Sequence, residues 1–168
     1  MPEAKTRRAA AKDKRAGKAP STQAGEYVRE EIEHVREGKH GARSAKQAIA
    51  IGLSKARRAG VKMPAKKTAS KSTRKKAAQD ERAAKHPHKT SAKRSRATKQ
   101  ALRREGHSAA SHEALAKQGK RAASKRSATS RSAAAKKAAR TKGAAGRSAA
   151  AKKAARTRAA KKTARRRA

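Results

Sequence analysis

The segment from Ser44 to Gly60, SAKQAIAIGLSKARRAG, most limits what this chain can fold into. Its small and apolar residues recur at three- and four-residue spacing, which predicts one face of an α-helix. These residues are Ala45, Ala48, Ile49, Gly52, Leu53 and Ala56. Ser44 followed by Gln47 is a capping-box pattern that predicts the helix start. Gly60 predicts its end, with Val61 folding back on Ala56 in a Schellman-type contact.

The preceding segment can supply the partner that this helix needs. Ala24, Val28, Ile32 and Val35 fall on one helical stripe, and Gly38 is a stop signal. The short glycine-bearing linker predicts an antiparallel return, so residues 21–62 are interpreted as a helical hairpin. The first helix carries Glu26, Glu30, Glu31, Glu33 and Glu37, and the second carries Lys46, Lys55, Arg57 and Arg58. Opposite charges should draw the helices together, with Tyr27 packed in the hairpin.

Little material for a larger core exists elsewhere in the chain. It has one Tyr, no Phe and no Trp, and its 34% hydrophobic fraction is mostly alanine. We therefore expect a mostly α protein: a small antiparallel hairpin between a flexible basic arm, residues 1–20, and a disordered low-complexity tail, residues 63–168. Two helices bury little surface, so self-association through the hairpin and a loose monomer both stay open.

The tail carries most of the net charge of +40. The arm contributes +5, the hairpin +4 and the tail +31, and no acid follows Glu113. A 16-residue repeat occupies residues 131–162, reading RSAAAKKAARTKGAAG and then RSAAAKKAARTRAAKK. Its Ala/Lys blocks should be poorly helical when free and more helical once phosphates neutralise them, with Gly143 and Gly146 as hinges.

Such an excess of positive charge predicts a polyanionic partner. Aromatic platforms for stacking single-stranded bases are missing, which favours double-stranded DNA bound without sequence specificity, as in a nucleoid protein. The predicted contacts are Lys117, Lys120, Arg121, Lys125, Arg126, Arg131, Lys136, Lys137, Arg140, Lys142, Arg147, Lys152, Lys153, Arg156, Arg158, Lys161, Lys162, Arg165, Arg166 and Arg167. An RNA- or ribosome-associated protein is one alternative. A protein-interaction or stress module with an anchoring tail is another.

Signatures of an enzyme, a cofactor site or a metal site are not found. Glu30, Glu31 and Glu33 are interpreted as a solvated helix face. His86-Pro87-His88, with His107 and His112, lacks the cysteine or acid that would complete a metal site. The longest apolar run is far shorter than a membrane span, and no signal peptide follows Met1, so we expect no membrane contact and a cytoplasmic location at the nucleoid.

Two resemblances accompany these interpretations. Residues 46–60, KQAIAIGLSKARRAG, resemble a family of small uncharacterised bacterial proteins that share a QAIAI-x-LS-x-A helix after a Gly- and Lys-rich turn. The likeness covers residues 34–64 and implies a bacterial source but no activity; Lys55 stands where members often carry an acid. The AKKAA blocks of the tail resemble the Lys/Ala-rich tails of linker histones and bacterial histone-like proteins, which implies DNA condensation.

Overall fold

The structure is a computed structural model that describes residues 2–65, 69–86 and 91–167. Within these ranges it is mostly helical and contains no strand, which confirms the predicted class. The helices are α1 (Ala4–Arg15), α2 (Pro20–Arg36), α3 (Ala45–Arg58), α4 (Lys71–Lys85), α5 (Ala92–Arg104), α6 (His112–Ser124) and α7 (Ala128–Arg167), with a 3-10 helix at Ser108–Ala110. The chain forms two compact units, residues 1–119 and 120–168.

Helices α2 and α3 form the predicted antiparallel pair at the centre of the first unit. Tyr27, early in α2, shares a buried cluster with Ala56 near the end of α3. Val35, near the end of α2, shares a second cluster with Ala48 near the start of α3. Gly52 lies between these clusters, where a Cβ atom would come within 2.7 Å of the Val28 Cα atom. The helix backbones therefore approach closely because Gly52 has no side chain.

The predicted boundaries of α3 are confirmed by its capping contacts. Ser44 Oγ accepts a hydrogen bond from the Gln47 amide at 3.3 Å. The Gln47 side chain accepts from the Arg43 amide at 2.9 Å, one residue earlier than in the usual capping box. At the other end, Gly60 has φ of 88° and Val61 donates to the Ala56 carbonyl, which is a Schellman motif.

The interpretation as a simple two-helix hairpin is wrong, because three further elements pack on it. The first is α1, which lies inside the stretch interpreted as a flexible arm. Ala10 of α1 is 4% exposed and joins the cluster of Tyr27 and Ala56. Gly17, with φ of 65°, ends α1 and lets the chain turn into α2. Ala10 packs there in a cluster whose larger side chains include Tyr27 and Val61.

Helix α4 packs on α3 through a buried carboxylate. Asp80 is 2% exposed and accepts hydrogen bonds from Ser54 Oγ at 2.6 Å and Arg58 Nε at 3.0 Å. Burial by itself raises the pKa of Asp80, but these hydrogen bonds, with the charges of Arg58 and Lys76, outweigh it and lower the pKa. Asp80 is thus held as a carboxylate that joins α4 to α3.

A segment from the end of α5 through the 3-10 helix covers the turn between α2 and α3. Gly41 N–H donates to the Leu102 carbonyl at 2.9 Å, and Ala42 N–H donates to the Gly106 carbonyl at 3.0 Å. The buried pair at residues 109–110 then joins the cluster of Val35. Helices α1 to α4 and the segment 102–110 together form the folded body of the first unit, which therefore extends far beyond residue 62.

These contacts change the view of the predicted tail. The stretches AQDERAAK and KQALRREG lie in the tail that was predicted to be disordered, but the first belongs to α4 and the second to the end of α5 and the two residues after it. The disorder predicted for the basic tail is not shown, since its described residues are largely helical. Self-association stays a prediction, but much of the apolar surface on which it depended is covered by the chain itself.

Candidate nucleic-acid interface

The second unit consists of the last residues of α6 and the whole of α7. Gly143 has φ of 66° and ψ of 174°, so it breaks α7 into two helical pieces. Gly146 keeps a helical assignment and no positive φ. Of the two predicted hinge positions, Gly143 is therefore the one at which the backbone departs from the helix. It separates most of the first copy of the repeat from the second.

The predicted contact residues are distributed over α6, the linker after it and α7. Lys117, Lys120 and Arg121 are on α6, and Lys125 and Arg126 follow it. The remaining fifteen belong by backbone to α7, with the side chains of Lys161, Lys162, Arg165, Arg166 and Arg167 outside the described part. Every one of the other predicted contacts, from Lys117 to Arg158, is exposed to solvent.

None of these described cations is neutralised by an acid. From Lys117 to Arg158, the side chains that the structure describes form no ion pair with a carboxylate. In both repeats a Lys and an Arg are four residues apart, Lys136 with Arg140 and Lys152 with Arg156. Such like-charged neighbours destabilise a helix by about 0.2–0.5 kcal/mol per pair. An anion between them would remove that repulsion.

The charge spacing in α7 is close to that of a nucleic-acid strand. Between Arg131 and Lys142, five cations occupy twelve residues of helix. At a rise of 1.5 Å per residue this is roughly one charge per 3.6 Å, compared with about 3.4 Å per phosphate along one strand of DNA. The average charge density of this helical piece therefore matches that of a phosphate backbone, although its cations point in several directions around the helix and only some can face one strand at a time.

Sequence reasoning missed a second basic helix, α5. It carries six exposed cations and no acid, and none of the six is ion-paired within the described ranges. They are Lys93, Arg94, Arg96, Lys99, Arg103 and Arg104. Hydrogen bonds from the hairpin turn to the Leu102 and Gly106 carbonyls hold the end of α5 on the body. Its acid-free run was visible in the sequence, but its anchoring was not.

The acidic residues of α2 differ from their predicted setting. Glu30 and Glu31 are 4% and 0% exposed, so the interpretation of a solvated face is wrong for both, whereas Glu33 is exposed. Lys55 of α3 lies 3.5 Å from Glu30 and 2.5 Å from Glu31, which bears out the predicted attraction between the helices. The contacts that offset the burial of these carboxylates come from other elements of the fold, such as Lys55 of α3.

The remaining candidates have mostly structural settings. Tyr27 is 3% exposed, as predicted for a packed residue, and burial raises the pKa of its hydroxyl. His86, His107 and His112 belong to no cluster of three metal-binding side chains within the described residues, and His88 lies outside them. In the described part of the chain, no helix is both long and apolar enough to cross a membrane.

Comparison with known proteins places the body of the first unit in context. The model of a family of unknown function (DUF6496) matches residues 11–67, which include the end of α1 and all of α2 and α3. This match agrees with the predicted resemblance to a small uncharacterised family. No curated protein and no solved structure matches the chain.

Proposed function

We propose that this protein is a non-enzymatic, sequence-nonspecific DNA-binding protein that condenses or bridges duplex DNA in a bacterial nucleoid. The observation that carries the proposal is the exposed, acid-free run of unpaired cations from Lys117 to Arg158. Lys and Arg bind phosphates by releasing condensed counterions, which requires charge and exposure but no folded reading surface. Helix α5 would add a second basic surface, held on the body of the first unit.

Duplex DNA fits this surface better than a single strand. Single-strand binders stack bases on aromatic side chains, with about 1–3 kcal/mol per base. The lone aromatic residue, Tyr27, is buried in the first unit. Contacts of cations with phosphates carry no sequence information, because sequence is read at base edges. We therefore expect similar affinity for unrelated duplexes.

The test removes half of the cations in the acid-free segment, residues 114–168. Deleting residues 147–168 takes away ten of the twenty cations between residues 114 and 168. If each neutralised one phosphate, the slope of log affinity against log salt would fall by about nine units. This is an upper bound, because a helix turns only some of its charges toward one duplex. We expect a loss of a few units, equal for two unrelated duplexes, measured by fluorescence anisotropy at several salt concentrations.

A charge-preserving variant is the matched control. It replaces the six arginines of the same segment with lysine: Arg147, Arg156, Arg158, Arg165, Arg166 and Arg167. Counterion release depends on the number of charges, so the slope should stay unchanged, whereas bidentate base readout would require arginine. An unchanged slope after the deletion, or a sequence-selective loss in the lysine variant, would refute the phosphate mechanism.

Two further measurements distinguish the alternative functions. Competition between a DNA duplex and a structured RNA of equal length would favour an RNA-associated role if the RNA displaces DNA at lower concentration. Deleting residues 120–168 removes the second unit, nineteen cations and no acid. A protein-interaction module would keep its activity after that deletion, whereas a DNA-condensing protein would lose most of it.

A further inference from the structure

Three metal-binding side chains meet where α2 ends, far in sequence from the basic helices. Glu31 and His34 lie one turn apart on α2, and His40 lies in the turn that follows. Each offers a nitrogen or oxygen atom, and these atoms all lie within 4.8 Å of one another. The Glu31 side chain is 1% exposed, and those of His34 and His40 are 14% and 18% exposed. The cluster is thus largely shielded from water.

The buried Glu31 carboxylate lacks the hydrogen bonds that its burial requires. Neither of its oxygens accepts a hydrogen bond from any residue in the described ranges. Lys55 Nζ lies 2.5 Å from Oε2, so its ammonium group already offsets part of the cost of burying the carboxylate, whereas Oε1 has no contact with Lys55. A cation bound at Oε1 would offset the rest of that cost.

The hydrogen bonding of His40 prepares its other nitrogen for a metal. Nδ1 lies 3.1 Å from the Gly41 carbonyl, a contact that is a hydrogen bond only when Nδ1 carries the proton. In the neutral ring Nε2 then has a free lone pair, and it faces Glu31 Oε1 at 3.2 Å without a hydrogen bond. Two ligands of one tetrahedral zinc ion stand about 3.4 Å apart when each bond is close to 2.05 Å.

Glu3 extends the cluster to the N-terminal end of the chain. Its Oε1 atom lies 2.8 Å from His34 Nε2 and 3.3 Å from Lys39 Nζ, and these contacts lower the pKa of the Glu3 carboxyl. A carboxylate beside a histidine is the usual outer partner of a metal-bound imidazole, which it orients. Glu3 N–H also donates to Glu30 Oε2 at 3.1 Å, so the start of α1 is fixed beside the cluster.

We propose that Glu31, His34 and His40 bind one Zn²⁺ ion. Two imidazole nitrogens and one carboxylate oxygen are a ligand set typical of zinc, with Glu3 close enough to orient His34. The ion stabilises the body of the protein, because it joins α2 to the turn after it and, through Glu3, to α1. This role is separate from DNA binding by the basic helices.

The experiment titrates the metal-free full chain with Zn²⁺ against a chromophoric chelator. One tight ion per chain is expected, and His34→Gln, His40→Gln and Glu31→Gln should each weaken it at least about tenfold, the lower end of what losing even an outer partner costs. His86→Gln and His112→Gln, outside the cluster, are the matched controls and should bind as the wild type does. Co²⁺ in place of zinc should give the visible absorption of a tetrahedral site.

The results that would overturn the proposal are equally specific. Wild-type binding no tighter than that of a His34→Gln/His40→Gln double variant would leave His40 and Glu31 as an ion pair only. Equal weakening by the control variants would point to loose surface histidines. A variant that loses the fluorescence of buried Tyr27 has unfolded, and its zinc affinity is then not compared with that of the wild type. In that case the Co²⁺ spectrum of the wild type is the test, because an octahedral spectrum like that of Co²⁺ in water would overturn the proposal.

Discussion

The close crossing of α2 and α3 at Gly52 can be tested with one added methyl group. In Gly52→Ala the new Cβ atom would lie 2.7 Å from Val28 Cα and 3.0 Å from the Tyr27 carbonyl, where ordinary contacts begin at 3.4 Å. Both neighbours include backbone, so the helices must separate. Forcing extra volume into a packed contact costs about 1–3 kcal/mol.

The higher helix propensity of alanine stabilises Gly52→Ala and so opposes the cost of the clash. A substitution at a second glycine, Gly25, measures this propensity effect by itself. Gly25 lies on the exposed side of α2, where an added Cβ meets nothing within 4 Å. Gly25→Ala should stabilise by about 0.8–1 kcal/mol, the usual gain from replacing glycine in a helix. Gly52→Ala receives the same gain, so the difference between the two variants measures the crossing alone, about 1–3 kcal/mol.

The assay uses Tyr27, because it is the chain's one aromatic residue and is buried in the hairpin. Its fluorescence during urea unfolding reports the body without a signal from the basic helices. We expect Gly25→Ala to raise the urea midpoint and Gly52→Ala to lower it or leave it near the wild type, with equal slopes. Equal gains in both variants would show that α2 and α3 do not cross closely at Gly52.

Two further predictions concern the elements that pack on the hairpin. Gly41→Ala would place a Cβ atom 1.8 Å from the Glu105 carbonyl oxygen, so it should release the segment that covers the turn. Hydrogen exchange at the amides of residues 41–42 should then become faster. Gly106→Ala is the control, because an added Cβ there meets open space and exchange at these amides should stay slow. Asp80→Asn should weaken the packing of α4. Because folding lowers the pKa of Asp80, the ionised carboxylate stabilises the folded protein above about pH 4, and this contribution is lost as the pH falls through the folded pKa. The urea midpoints of the wild type and of Asp80→Asn should therefore converge in acid.

The hairpin was predictable because its signals are local. The capping pattern of Ser44 and Gln47, the stop at Gly60 and the apolar spacing between them all lie within one helix and its flanks. Each is a short-range interaction that the sequence displays directly. The antiparallel return followed from the short linker, and the pairing of Lys55 with the α2 carboxylates followed from opposite charge.

The elements around the hairpin were not predictable in the same way, because their contacts are long-range and use small residues. Helix α1 packs through Ala10, which on the sequence looks like any other alanine of a basic arm. The segment that covers the turn is held by backbone hydrogen bonds at Gly41 and Ala42, which no side-chain pattern records. Glu31 looked solvated because its partner Lys55 is distant in sequence. No metal site was predicted from the sequence, and the one local sign of the proposed site is the three-residue spacing of Glu31 and His34.

The distribution of acids explains how one chain combines a folded body with an excess of positive charge. All eleven acidic residues precede residue 114. Eight of them form ion pairs with Lys or Arg among the residues of the first unit that the structure describes. The buried carboxylates Glu31 and Asp80 pair with partly exposed cations, Lys55 and Arg58, and such partly buried pairs are screened less by salt than exposed pairs are. The exposed cations of α7 whose side chains the structure describes, from Arg131 to Arg158, have no such partners, so interactions with phosphates there would depend strongly on salt. Stability and the proposed binding to a polyanion therefore rest on different charges, and we expect salt to weaken that binding while the body stays folded.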